Sequence, residues 1–198
     1  MTECPKLRYQ SPIVLSNCNT LEIKQSIDIK GRNKGAIYNI EEKIFEVSDE
    51  IILTVGNKRY QLQEYHFHIP GEHKIKGNIY PSEVHYVFEE ITEDNKNKKK
   101  RHYNICGGKI PEDVNLLVIG RVICPSKKPK ELSKLQVRIP KCYFEYDGGL
   151  TTGDLSTPVL WIVGKHSLRF NINQLTSIAK TSRPLQPLDG RIILTSYV

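Results

Sequence analysis

The 198-residue chain is long enough for one domain, spanning 1–198, that buries most of the apolar surface it would expose unfolded. With 38% hydrophobic and 26% charged residues it has an ordinary globular composition, and no stretch approaches the roughly 20 apolar residues of a membrane-spanning helix. The net charge of +7 gathers partly in Lys98-Lys99-Lys100-Arg101-His102 and Lys127-Lys128-Pro129-Lys130, and neither run interleaves aromatics, which argues against a nucleic-acid platform.

Both basic runs read as solvated loops; the competing reading is a contact for an anionic partner such as a sulfated glycan. The first residues, MTECPKLRYQSPIVL, carry no apolar core followed by a cleavage site, so synthesis in the cytoplasm is expected. Five cysteines (Cys4, Cys18, Cys106, Cys124, Cys142) are scattered without a CxxC pair and read as reduced thiols.

In chain order, short runs rich in Ile, Val, Tyr and Leu predict strands at 21–29, 36–47, 50–55, 59–68, 79–88, 115–124, 135–139, 158–163 and 191–197. Residues 89–113 are charged and contain Gly107-Gly108, and read as an exposed excursion. The one helical pattern is 171–180, with Ile172, Leu175 and Ile178 near helical period. Strands that follow one another without helices between them imply a mainly β fold around an antiparallel-dominated sheet.

The segment 62–88 (LQEYHFHIPGEHKIKGNIYPSEVHYVF) carries the chemistry. His66 and His68, two apart on a strand, share a face, and Phe67 points to the other. An antiparallel neighbour at 79–88 brings His85 into the same space. Three neutral imidazoles with one open position describe a catalytic zinc site. Glu83, two residues before His85, shares its strand face and can accept the ring proton that fixes a ligand's tautomer. Spacing alone leaves this reading level with a satisfied core or surface set of histidines.

Several segments decide between them by resemblance. Gln10-Ser11-Pro12, Tyr60–His68 (YQLQEYHFH), Gly71–His73 (GEH), Tyr80–Val87 (YPSEVHYV), Gly149–Thr152 (GLTT), Trp161–Val163 (WIV) and Arg183–Arg191 (RPLQPLDGR) are similar, in order, to the signature segments of α-class carbonic anhydrases. The resemblance implies that family's twisted central sheet with few short helices. It implies zinc on His66, His68 and His85, with water as fourth ligand, and reversible hydration of carbon dioxide to bicarbonate. Thr151 and Glu72 match the pair that orients the zinc-bound nucleophile. Val87, Val118, Leu150, Val159 and Trp161 match the apolar wall for carbon dioxide, and Thr152 the second threonine of the site. Tyr146, Ser11 and His73 match residues that brace the site from beneath.

Departures from the family pattern carry expectations of their own. Glu64 stands where an amide usually holds a ligand histidine, and its charge should raise the pH at which activity develops. Ala36 aligns with the histidine that exports protons in fast members, so proton export should limit turnover and buffer should relieve it. The stretch from Gly120 to Leu150 is shortened, and Gly153-Asp154 replaces a Pro-Pro pair. An alternative is a carbonic-anhydrase-like binding or structural module, such as a virion surface or capsid component that holds anionic glycans. The Lys-, Asn- and Ile-leaning composition suggests an AT-rich source, a protist or a large DNA virus.

Overall fold

A computed structural model describes residues 9–17, 20–92 and 115–196. The basic run at 98–102, Cys4, Cys18, Cys106 and most of the predicted excursion lie outside the described residues. The first strands are β1 (Val14–Leu15), β2 (Thr20–Glu22), β3 (Ile27–Lys30), β4 (Ile37–Asn39), β5 (Ile44–Glu46) and β6 (Ile52–Val55). The middle of the chain gives β7 (Lys58–Ile69), β8 (Lys74–Ile75), β9 (Asn78–Ile79), β10 (Ser82–Glu90) and β11 (Leu116–Pro125). Last come β12 (Tyr143–Gly149), β13 (Pro158–Phe170), β14 (Lys180–Thr181) and β15 (Ile193–Thr195).

Twelve strands form one sheet with the path β2-β15-β12-β13-β11-β10-β7-β5-β4, to which β6, β3 and β14 attach beside β7. The pairings β7–β10, β10–β11 and β12–β13 are antiparallel, as expected, but β11 and β13 run parallel at the centre, so the sheet is mixed. A second, three-stranded sheet joins β1, β8 and β9.

Alternation sorts the sheet into two faces. Tyr65, Phe67, Val84, Tyr86, Phe88, Leu117, Ile119 and Ile162 build one core, and Val87, Val118, Val122, Trp161 and Val163 build the other. β7 keeps this order only through an irregularity. Val87 pairs with Glu64 but the next residue, Phe88, pairs with Leu62, so Gln63 is the extra residue of a bulge. Without it Leu62, Glu64, His66 and His68 would all share a face; with it Leu62 joins the core of Tyr65, and the other three turn to the opposite side.

Several sequence expectations are corrected. The strand at 21–29 is split: β2 pairs with β15 and β3 with β6, and Ile23–Ser26 crosses between them. Residues 36–47 form a hairpin whose turn includes Lys43 at φ 54°. Residues 135–139 make no strand, because side chains take over their backbone groups; Arg121, for example, donates to Arg138 O at 2.6 Å. The helix at 171–180 shrinks to a 3-10 turn, Ile172–Gln174, capped by the Asn171 side chain. Ten residues with two isoleucines and a buried Leu175 anchor cannot repay helix nucleation. β12 was hidden by Asp147-Gly148-Gly149, which reads as a turn.

Arg121 is buried with its fork on two carbonyls, Arg138 O (2.6 Å) and His166 O (3.3 Å). It passes over Gly164, where a Cβ would stand 2.6 Å from Arg121 Nε and 3.0 Å from Pro140 Cβ. Gly164→Ala therefore destabilises the protein by about 1–3 kcal/mol through overpacking, read as a lower urea midpoint with an unchanged slope.

Candidate metal centre

The strands β7 and β10 set the site. Their register places His85 directly opposite His66, and His68 follows two residues on. The ring centroids lie 5.0 Å (His66–His68), 5.4 Å (His66–His85) and 4.7 Å (His68–His85) apart. One nitrogen of each ring lies within 4.8 Å of the others, and all three side chains are buried.

Outer partners fix the tautomers. The Nδ1–H of His68 donates to Thr181 O (3.2 Å), a group that can only accept, and Nδ1 of His66 meets Glu64 Oε1 at 3.0 Å. That leaves Nε2 of both rings as a buried lone pair, and neither has a partner. Nε2 of His85 lies 3.2 Å from Glu83 Oε1, though not in line for a hydrogen bond. Burial, with the neighbouring charges of Lys180 and His85, holds His66 well below the usual histidine range; burial and the other two rings do the same for His68. For His85 burial acts downward too, but Glu83, Glu72 and Glu64 outweigh it and raise its pKa. His66 and His68, neutral and preoriented with free lone pairs, fit two ligands of a zinc ion, and His85 adds the third ring.

Glu83 does more than the sequence suggested. Its Oε2 accepts the backbone amides of Glu72 and His73 (both 2.9 Å), and its Oε1 takes Nδ1 of His73 at 2.7 Å. Burial opposes its ionisation, yet His73 and then His85 hold it well below the usual carboxylate range. Beyond His73 the network continues to the Tyr146 hydroxyl (2.6 Å), which donates to Ser11 Oγ (3.0 Å). Gly148 makes room for this contact, since a Cβ there would collide with Ser11 Oγ. His73, Glu83 and His85 are also close enough to hold an ion, but their hydrogen bonds already satisfy His73.

Glu72 lies beside the trio, with Oε2 3.9 Å from His85 Nδ1. Its Oε1 accepts the Arg183 amide at 2.8 Å. Burial raises its pKa, while His85, the Thr151 hydroxyl and the Arg183 amide favour the carboxylate. The five wall residues, Val87, Val118, Leu150, Val159 and Trp161, fall into one buried cluster on the face of the trio. Trp161 meets His85 edge-on at 4.9 Å and donates to Gly149 O at 3.0 Å. Thr151 is buried and Thr152 half-buried at the same turn.

Ala36 does not sit with them. It is buried in the core of Tyr65 and Phe67, on the other face of the sheet, and its amide donates to Ser133 O. Lys180 was missed because it falls in the segment read as a helix; it acts on both Glu64 and His66. Lys127 and Lys128 are exposed, and Lys130 Nζ rests over the Phe170 ring at 4.6 Å. Cys124 and Cys142 are free thiols, and no described helix is long and apolar enough to cross a membrane.

No family model matches the chain. It is 28% identical over 153 residues to a carbonic anhydrase of Neisseria gonorrhoeae, covering 72% of this chain and 58% of that protein. A carbonic anhydrase of Pectobacterium atrosepticum is 25% identical over 207 residues, covering 96% of this chain and 81% of that one. Among solved structures, a hyperthermostable carbonic anhydrase from a hydrothermal vent chimney aligns with a TM-score of 0.73 at 25% identity, over 96% of this chain and 88% of that one. The α-carbonic anhydrase of Thermovibrio ammonificans in complex with sulfanilamide aligns at 0.71 and 22% identity, over 94% and 86%.

Proposed function

We propose that this homologue of the carbonic anhydrases, which has the α-class fold, catalyses the reversible hydration of carbon dioxide on a zinc ion held by His66, His68 and His85. The observation that carries the reading is the pair of buried, unpartnered Nε2 atoms of His66 and His68 facing a third buried ring. His66 and His68 would offer Nε2; His85, with Nε2 beside Glu83, would offer Nδ1. Bound zinc would supply a Lewis acid that makes water nucleophilic near neutral pH.

The chain's own residues do the rest. Glu72, whose Oε1 takes the Arg183 amide and whose Oε2 is left buried, favours Thr151 as a donor toward it, so the Thr151 oxygen keeps a lone pair that admits only a hydrogen-bond donor. Val87, Val118, Leu150, Val159 and Trp161 keep water from one side of the site, which suits an apolar, weakly held substrate. Zinc content of the purified protein together with stopped-flow carbon dioxide hydration tests the proposal. About one zinc per chain with hydration supports it; zinc without hydration turns it into a binding module, and no zinc overturns it.

Two expected results arise here. Among the described residues the only histidines outside the trio are His73, locked in its network, and His166, exposed on β13. Turnover should therefore rise with imidazole-type buffer; turnover indifferent to buffer would remove the argument.

Glu64 is the second case. Burial pushes its carboxyl up to about 7, against the pull of Lys180 and His85. A raised carboxylate contributes stability below its unfolded value of 4.5 and loses it as pH rises toward 7. In protein stripped of metal, Glu64→Gln should thus stabilise at pH 8 by up to about 3 kcal/mol, and by little at pH 4. In loaded protein the same carboxylate adds negative charge behind His66, so the pH–rate midpoint stands above 7 and falls in Glu64→Gln. A wild-type midpoint at or below 7 contradicts this.

A further inference from the structure

On the sheet face away from the histidines, the chain crosses from β2 to β3 over an open cavity of about 360 Å³. Its wall is made by Ile23, Lys24 and Gln25 of the crossing, by Ile27 of β3, by Ile139, Pro140 and Lys141, and by Tyr143 and Ser196. Two lysines line it and no carboxylate does; Glu145, two residues along β12, is the acid that acts on Tyr143.

Two donors in this wall lack a well-aligned acceptor. Gln25 Nε2 and the Tyr143 hydroxyl are both buried without a hydrogen bond of good geometry, Ser196 being the side chain that bears on Tyr143, and Tyr143 as a whole is 4% exposed. The neighbouring Ser196 hydroxyl gives its own proton to Lys141 O at 3.0 Å. A buried donor without an acceptor loses the hydrogen bonds that water gave it, so a pair of them marks the place of an absent acceptor. Lys24 and Lys141 give that acceptor its charge, and Ile23, Ile27, Ile139 and Pro140 give it an apolar flank.

We infer that this cavity is a binding site for a small carboxylate with a short apolar tail, held through its carboxylate by Gln25, Tyr143, Lys24 and Lys141. It is separate from the metal centre and does not rest on the proposed activity. Neither lysine belongs to the catalytic machinery, so the two functions can be broken apart.

The test is amide NMR of the full, zinc-loaded chain titrated with hexanoate, with bicarbonate and with chloride. Hexanoate should saturate shifts at residues 23–27 and 139–143. The double variant Lys24→Gln/Lys141→Gln should weaken binding at least tenfold, Tyr143→Phe should weaken it severalfold, and both should leave hydration unchanged. Tyr143→Phe keeps the ring in the core and guards against loss of folding. Three results overturn the proposal: shifts that never saturate, equal shifts in the double variant, or bicarbonate or chloride binding as tightly as hexanoate. The last would mean a bare anion site or ordered water, without a place for the tail.

Discussion

His85→Ala should lower bound zinc from about one per chain to under a tenth and take hydration to background, with the β-sheet circular dichroism retained. The size of the effect follows from the geometry. His66 and His68 come from one strand and cannot close a tetrahedral site; His85 is the one donor of the trio from β10. Changing a partner behind a ligand costs metal sites roughly 10–100-fold in affinity, and removing a ligand exceeds that range. Isothermal titration with zinc and elemental analysis check it. Zinc retained at full stoichiometry in His85→Ala would show that the metal sits elsewhere, for instance among the ring and carboxylate of His73 and Glu83.

Glu83→Ala should cost more in folding than any other single change at the site, about 3–5 kcal/mol, because it strands the buried amides of Glu72 and His73 and the His73 ring at once. Glu83→Gln keeps the shape and should cost less. The pH dependence separates charge from shape. A carboxylate held below its usual range contributes stability above its unfolded value of 4.5, and that contribution drains away as pH falls below it. The gap between wild type and Glu83→Gln should therefore narrow on acidification below pH 4.5, as read by urea unfolding. A gap independent of pH would mean that the carboxylate's charge is not what holds the network.

The mainly β class and the facing histidines were legible in the sequence for a simple reason: side-chain alternation is a property of neighbours two apart, and H-x-H states it openly. The bulge at Gln63 was not legible, since strict alternation through 59–68 puts Leu62 and His66 on one face. Only the pairing with β10 shows the slip. Glu83 was read as a partner of His85, and its Oε1 lies 3.2 Å from that ring. Its stronger partners are two backbone amides and His73, and backbone donors leave no trace in a sequence. The same holds for Thr181 O behind His68 and the Arg183 amide behind Glu72. Ala36 went astray because the match rested on the short stretch Gly35-Ala36-Ile37-Tyr38-Asn39, which enters a hairpin and packs Ala36 into the opposite core.

The hydrogen bonds that finish the site reach far along the chain. His68 takes its orientation from Thr181 and Glu72 from the Arg183 amide, and Arg183 in turn clasps Gln10 and Ser11. During synthesis His68 leaves the ribosome more than a hundred residues before Thr181, the residue whose carbonyl aims it. A nascent chain stalled before residue 180 would hold all three histidines but leave His68 and Glu72 without the backbone groups that orient them.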